Sequence, residues 1–238
     1  MANSTIPTEE YERRQSFNAI VKFLHGVRYR NLVTAVTPIA AIGQIRVVDI
    51  GCAGAKVFAV LSNLFDIQYV GIESEISRSE TAHARFGHAS NFRVIHGSIE
   101  DHVTELNGAD VIVALEAIEH LPDQLAEIVI GAAAEARPRL FICSVPNEVG
   151  PIIWVKNIGS VMMGYMRHKE YKWRETLMAG LFRFERHDTG HKGFDWRRID
   201  AMLRQKFVVE RRSSPFEWLP SIASPSIFFA AKPRQKTR

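Results

Sequence analysis

Short apolar runs alternate with amphipathic segments through the middle of the chain. The runs are almost wholly apolar, as is typical of parallel strands that are buried on both faces. These predicted strands cover 45–50, 68–72, 92–95, 110–115 and 139–145. Between them, apolar residues recur at helical spacing and predict helices over 55–65, 76–86, 99–106 and 124–136. This alternation indicates an α/β fold with a doubly wound, mostly parallel sheet.

The chain as a whole predicts a single domain that begins with a helix and ends with two more strands. Residues 8–36 show helical spacing, and a helix over 196–203 precedes strands over 207–211 and 226–231. We expect the last two strands to form an antiparallel hairpin at the sheet edge, which makes the sheet seven-stranded. The domain, 1–238, then has four parts: an N-terminal helical segment (1–44), the alternating core (45–146), an insertion (147–190) and a C-terminal helix with strands (191–238).

The insertion differs in composition from the core. Within 151–190, aromatic residues and methionines stand among seven Lys or Arg and four Asp or Glu. We expect it to lie over the functional site as a lid. Its apolar stretch, 152–166, is too short to span a bilayer. That stretch predicts either a lid helix or an interfacial helix in contact with a membrane or a lipid tail.

Composition places the chain among ordinary globular proteins, with 46% hydrophobic and 24% charged residues. There is no secretory pattern at the N-terminus and no long apolar run, so we expect a cytoplasmic protein, in peripheral contact at most with the inner membrane face. Cys52 and Cys143 lie far apart and form no metal-binding motif, which predicts free thiols. The net charge of +4 permits an anionic partner without requiring one.

The stretch from Val47 to Lys56 is the best candidate for a functional loop. An apolar strand carries Asp49 near its end, and a turn with Gly51 and Gly54 leads into a helix. The second strand ends at Glu73. Ligands of doubly wound sheets bind beyond the carboxyl ends of the strands, so we expect these residues to lie at one edge.

Three details favour S-adenosylmethionine as the ligand of this edge. Asp49 stands two residues before Gly51, and Glu73 suits the binding of two ribose hydroxyls. The loop also lacks a complete Gly-x-Gly-x-x-Gly, so it shows no sign of binding a phosphate. A related sheet that binds another nucleotide is the alternative.

With these residues the chain resembles the class I S-adenosylmethionine-dependent methyltransferases, over roughly 45–145 and more weakly to about 232. The resemblance implies a Rossmann-like methyltransferase fold in which 45–146 binds the cofactor. It implies that Asp49 and Gly51 lie by the methionine end of the cofactor and that Glu73 binds the ribose. The cofactor-binding residues predicted in this way are Asp49, Gly51, Cys52, Ala53, Gly54, Glu73, Ser98, Ile99 and Leu115.

A cluster of acid and histidine follows the fourth predicted strand. If this segment is helical, Glu116, Glu119 and His120 share one face, because they stand at i, i+3 and i+4. Two carboxylates and an imidazole suit Mg²⁺ or Mn²⁺, which would lower the pKa of a substrate hydroxyl. The alternative is a site without metal, in which a histidine is the general base.

The Glu-x-x-Glu-His pattern resembles that of the ubiquinone-biosynthesis O-methyltransferases and of the small-RNA 2′-O-methyltransferases of the Hen1 type. The second family completes a metal site with a later histidine. His191, before Phe194-Asp195-Trp196, is our candidate for that ligand, and His187 is the alternative. The predicted metal ligands are then Glu116, Glu119, His120 and His191, and the predicted catalytic residues are His120, His191 and Glu119.

The acceptor is the least determined feature. A hydroxyl on a small molecule or a bacterial glycan ranks first, since the chain resembles sugar O-methyltransferases of surface polysaccharides and of rhizobial nodulation factors. RNA ranks second, because the sequence shows no separate RNA-binding domain and no arginine-rich track. A non-catalytic scaffold that only binds S-adenosylmethionine is the third possibility.

Overall fold

The computed structural model describes residues 19–162, 173–183 and 192–234. The helices are α1 (Ala19–Ala40), α2 (Lys56–Leu61), α3 (Ile76–Phe86), α4 (Asp123–Glu135), α5 (Ile152–Met162), α6 (Trp173–Gly180) and α7 (Trp196–Lys206). The strands are β1 (Ile45–Ile50), β2 (Ile67–Glu73), β3 (Phe92–His96), β4 (Val111–Leu115), β5 (Leu140–Pro146), β6 (Phe207–Ser214) and β7 (Ser226–Pro233). Short 3₁₀ helices cover Ile99–Asp101, Val103–Leu106, Ile118–His120 and Ser221–Ala223.

All seven strands form one sheet in the order β3-β2-β1-β4-β5-β7-β6. The first five are parallel, and β7 pairs antiparallel with both β5 and β6. Strand order reverses at β1 and β4, which is where doubly wound sheets bind their ligands. The predicted seven-stranded, mostly parallel sheet with a terminal antiparallel hairpin is confirmed.

The apolar strands pack on both faces of the sheet, as their composition predicts. In β1, Val47 points into one cluster and Val48 into the other, because successive side chains alternate. Helices α1, α2 and α3 contribute to the first cluster, and α4 and α7 to the second. The central strands therefore have no face in solvent, and their functional side chains lie at the strand ends.

Three predicted helices differ from the structure. Helix α1 continues through Pro38 to Ala40, because a proline in the last turn removes only one hydrogen bond. Helix α2 ends at Leu61 rather than at 65, where the Asn63 amide donates to the Ala59 carbonyl at 2.7 Å and competes with the helical ladder. The segment 99–106 forms two 3₁₀ helices.

The N-terminal helix crosses one face of the sheet from its carboxyl edge to its amino edge. Arg28 reaches Glu116 just after β4, whereas the Ile39 carbonyl accepts from Arg139 just before β5. The β6–β7 connection also lies at the carboxyl edge, since Ser226 pairs with Pro146 at the end of β5. Side chains from both ends of the chain therefore meet at this edge.

The described part of the insertion is attached to the end of β5. The Lys156 ammonium of α5 donates to the Glu148 carboxylate at 2.9 Å and to the Asn147 carbonyl at 2.8 Å. Glu148 is 2% exposed. Residues 163–172 and 184–190 of the predicted lid lie outside the described residues. Within the described part, none of the helices has the length and apolar character that crossing a membrane requires.

Replacing Lys156 tests whether this ion pair holds the insertion in place. We expect Lys156→Met to lower the free energy of unfolding by about 3 kcal/mol, because it removes the ammonium that pairs with the buried Glu148 carboxylate. Urea denaturation measures the loss. The control, Arg204→Met, removes an exposed partner of Asp200 and should cost less than about 1 kcal/mol. Equal effects of the two variants would contradict the assignment.

Candidate functional site

The loop after β1 lies directly against the segment after β4. Gly51 has a φ of 69°, and its amide donates to the Ile72 carbonyl at 2.8 Å. A Cβ atom on Gly51 would stand 2.7 Å from the Ala117 Cβ, too close for any side chain. Glycine is therefore needed here both for its backbone conformation and for the close approach.

Glu73 binds the backbone of this loop. Its carboxylate accepts from the Ala53 amide at 2.8 Å and from the Glu75 amide at 2.9 Å, one bond to each oxygen. A carboxylate has about four acceptor positions, so each oxygen retains one for a ribose hydroxyl. Glu73 is 4% exposed, and its chemistry fits the predicted ribose-binding role, which stays a prediction.

Asp49 is buried beneath the loop and binds a residue that the sequence analysis missed. Its carboxylate accepts from the Tyr69 hydroxyl at 2.6 Å, and Tyr69 stacks on Phe92. Burial raises the pKa of Asp49 to about 7; the Tyr69 hydrogen bond lowers it, and the charge of Glu73 raises it further. Asp49 is 2% exposed, so its carboxylate lies inside the fold beneath the loop and not at the surface.

Two alanines of the loop adopt a backbone conformation that favours glycine. Ala53 has a φ of 45° and Ala55 a φ of 56°. Ala53 is half-buried, and Cys52, Gly54 and Ala55 are buried. The loop thus keeps the predicted turn, at a cost of about 1–2 kcal/mol for each left-handed alanine.

The segment after β3 provides the predicted adenine-flanking residues. Ser98 is half-buried, Ile99 is buried, and both follow directly on β3. The Gly97 amide donates to the Glu73 carbonyl at 2.9 Å, so this segment is tied to the predicted ribose-binding residue. A Cβ on Gly97 would collide with the imidazole of His102, which the sequence analysis did not select.

Glu116 sits between the two ends of the chain rather than on a helix. It has a φ of 53°, and its Oε1 lies 3.0 Å from the Arg28 guanidinium. The hydroxyls of Ser144 and Ser226 donate to the same oxygen at 3.1 and 3.3 Å. Leu115, directly before it, is half-buried. Arg28 is a site residue that the sequence analysis missed, because no pattern in the sequence near Arg28 indicates that Glu116 is its partner.

The predicted helical face of Glu116, Glu119 and His120 is wrong. The 3₁₀ helix begins only at Ile118, so Glu116 stands outside it. Glu119 is fully buried, whereas His120 is exposed. Burial raises the pKa of Glu119 well above its usual range, as does the charge of Glu116, while Arg28 opposes the rise. Glu119 therefore lies inside the fold, whereas His120 lies at its surface.

The metal site gains no support from the described residues. Within 19–162, 173–183 and 192–234, no group of three or more His, Cys, Asp or Glu is arranged to hold a metal ion. His191, the fourth predicted ligand, and its alternative His187 lie outside the described residues. The four-ligand site thus stays a prediction.

Comparison with known proteins identifies the family that this part of the chain resembles. Residues 47–137, which contain the loop, Glu73 and the Glu116–His120 segment, match the family described as methyltransferase domain. The match supports a methyltransferase that uses S-adenosylmethionine.

One curated relative of this methyltransferase domain has a stated acceptor. A small RNA 2′-O-methyltransferase of Drosophila melanogaster is 25% identical over 177 residues, which cover 68% of this chain and 41% of that protein. The chain therefore spans about two-fifths of the length of that relative.

Solved structures share the methyltransferase fold at low sequence identity. The magnesium protoporphyrin IX methyltransferase of Synechocystis PCC 6803, with bound SAH, superposes with a TM-score of 0.59 at 14% identity, over 91% of this chain and 88% of that one. The methyltransferase domain of a bacterial Hen1 protein gives 0.60 at 17% identity, over 89% of this chain and 100% of that one. The predicted Rossmann-like methyltransferase fold is confirmed.

The raised pKa of Asp49 predicts a specific pH dependence of stability. From pH 4 to 7 the folded carboxyl holds a proton that the unfolded one has lost, so its stabilisation is complete at low pH and disappears as the pH rises through 7. Asp49→Asn should therefore gain stability relative to the parent by about 1.4 kcal/mol per pH unit from pH 5 to 7, and level off above. Urea denaturation at each pH measures this, and a stability difference that does not change with pH would contradict it.

The left-handed alanines predict a stabilising substitution. We expect Ala53→Gly to raise the free energy of unfolding by about 0.5–1 kcal/mol, because glycine adopts a positive φ without strain but has more entropy to lose. Ala59→Gly, in helix α2, should lower it by about 1 kcal/mol. Thermal denaturation compares the two variants, and a loss of stability in both would refute the strain assigned to Ala53.

Proposed function

We propose that the protein transfers the methyl group of S-adenosylmethionine to a hydroxyl of a small molecule or a bacterial glycan, such as a sugar of a surface polysaccharide or a nodulation factor. The observation that carries this proposal is the exposed imidazole of His120. It stands three residues after Ala117, against which Gly51 of the cofactor loop packs. The proposal therefore takes His120 as a proton acceptor beside the expected position of the methyl donor.

The chemistry needs little from the protein beyond position and proton transfer. S-adenosylmethionine supplies both the methyl group and the leaving group. The acceptor oxygen forms a bond to the methyl carbon as the carbon–sulfur bond breaks, and the hydroxyl proton passes to His120. A positioned base of this kind contributes about 10²–10⁴-fold to the rate. Glu119, buried directly before it, is the nearest carboxylate in the sequence.

A ribose hydroxyl of RNA is the second candidate acceptor. The similarity to a small RNA 2′-O-methyltransferase supports it, although this chain spans about two-fifths of that relative. Both candidates are hydroxyl groups, so the same base and the same displacement serve either one. The alternative to the base is the predicted site for Mg²⁺ or Mn²⁺, in which His191 would complete Glu116, Glu119 and His120.

We extend the proposal to a peripheral contact between the insertion and lipid. Val155 is 64%, Ile158 63% and Trp173 73% exposed, so the described helices of the insertion present apolar side chains to their surroundings. A lipid-linked acceptor would be held by such a surface. Cosedimentation with phospholipid vesicles tests this contact, and recovery of all the protein in the supernatant would refute it.

A transfer assay with labelled methyl groups tests the function. Pools of sugars, quinone precursors, lipids and small RNA are incubated with protein and labelled S-adenosylmethionine, and we expect label on a sugar hydroxyl. Label only on RNA would favour the second candidate. No label, despite calorimetric binding of S-adenosylhomocysteine, would favour the non-catalytic scaffold.

Two experiments then distinguish a role of His120 as a base from a role of a metal ion. His120→Gln should lower kcat about 100-fold or more while the affinity for S-adenosylhomocysteine stays unchanged. His88→Gln, an exposed histidine before β3, is the matched control. Full activity of the parent in excess chelator would remove the metal from the proposal, and full activity of His120→Gln would remove the base.

A further inference from the structure

A groove runs along the outer edge of the sheet, beside β6. Its volume is about 800 Å³. Trp196 at the start of α7 forms one wall, the Arg211–Ser213 stretch of β6 another, and the loop 217–222 closes it. No step of the proposed methyl transfer uses these residues.

The groove is continuous with the edge that holds the candidate site. The Asn147 amide, just after β5, donates to the Ser221 carbonyl at 3.2 Å and to the Ser224 carbonyl at 3.1 Å. Ser226, two residues further, donates to Glu116. Three strand spacings separate β4 from β6, which is about 14 Å. A ligand in the groove therefore reaches the site only if it is extended.

The charges that line the groove balance. Arg211 and Arg212 stand with Glu210 and Glu217, two cations against two anions. The Arg212 guanidinium lies 2.7 Å from Glu210, within the same strand. A nucleic-acid backbone is bound through an excess of Lys and Arg. This lining instead offers paired donors and acceptors to an uncharged ligand that is rich in hydroxyls.

One aromatic ring lines the groove, and two more stand in or next to the loop that closes it. The Arg211 guanidinium lies over the Trp196 ring, 4.7 Å from its centroid. Trp218, in the loop that closes the groove, is 79% exposed, and its ring lies 5.8 Å from that of Phe216. The buried Trp196 indole nitrogen has no hydrogen-bond partner among the described residues. Flat rings beside paired polar groups match a pyranose, which has an apolar face and a rim of hydroxyls.

We infer that this groove is a subsite for an uncharged oligosaccharide portion of the acceptor, distant from the methylated hydroxyl. The inference rests on the proposed function for the identity of the reacting end, but the binding itself needs no cofactor. Contacts distant from the reacting atom hold the acceptor in place for transfer. The subsite thereby selects extended glycans over single sugars.

Direct binding tests the subsite without methyl transfer. Chitotetraose, cellotetraose and maltotetraose, three neutral tetrasaccharides, and a short oligouridylate are titrated into the full chain by calorimetry. We expect at least one tetrasaccharide to bind, and Trp218→Ala to weaken it by at least about tenfold. Ile42→Ala removes a similarly exposed apolar side chain before β1, at the opposite edge of the sheet, and should leave this affinity unchanged.

Three outcomes would overturn the subsite: no tetrasaccharide binds, the tetrasaccharides bind the parent and Trp218→Ala equally, or oligouridylate alone binds and loses affinity in Trp218→Ala. Calorimetry with S-adenosylhomocysteine on the same samples is independent of the groove. If that ligand binds normally and Trp218→Ala has no effect, the subsite fails while the methyltransferase proposal stands. If saccharides bind and labelled methyl is transferred to no acceptor, the methyltransferase proposal fails while the saccharide-binding groove stands.

Discussion

The carboxylate of Glu73 is the contact on which the rest of the candidate site depends. It accepts from the amides of Ala53 and Glu75 and so joins the loop after β1 to the end of β2. These bonds help hold Ala53 in a left-handed conformation that alanine would not choose in isolation. This turn brings Gly51 against Ala117. One buried carboxylate therefore fixes the distance between the loop after β1 and the segment after β4.

The sheet could be predicted from sequence because its signals are local. Strand β1 covers 45–50 as predicted, since a short apolar run between polar turns is typical of a parallel strand that is buried on both faces. The position of Glu73 followed from the same pattern, as the last residue of an apolar strand. Helix α2 was predicted too long, because helical spacing continues past Leu61 while the Asn63 side chain competes for the Ala59 carbonyl.

The segment after β4 could not be predicted, since tertiary contacts determine its conformation. The positive φ of Glu116 accompanies bonds from Arg28, Ser144 and Ser226, which are distant in sequence. No periodicity within 116–120 indicates these contacts. The predicted helical face rests on the spacing of the three residues alone. The sequence gives one weak indication of Tyr69. It is a polar aromatic residue within the apolar strand β2, which lies beside the strand that carries Asp49.

Glu116 also lies between two regions that the sheet order separates. On one side, β1 and β2 carry the buried carboxylates of Asp49 and Glu73; on the other, β6 and the loop after it line an open groove with balanced charges. Glu116 lies 3.0 Å from Arg28 of α1 and accepts from Ser226 at the start of β7. Because residues 117–120 follow Glu116 directly, the side chain that contacts both α1 and β7 stands immediately before the segment that carries the proposed base.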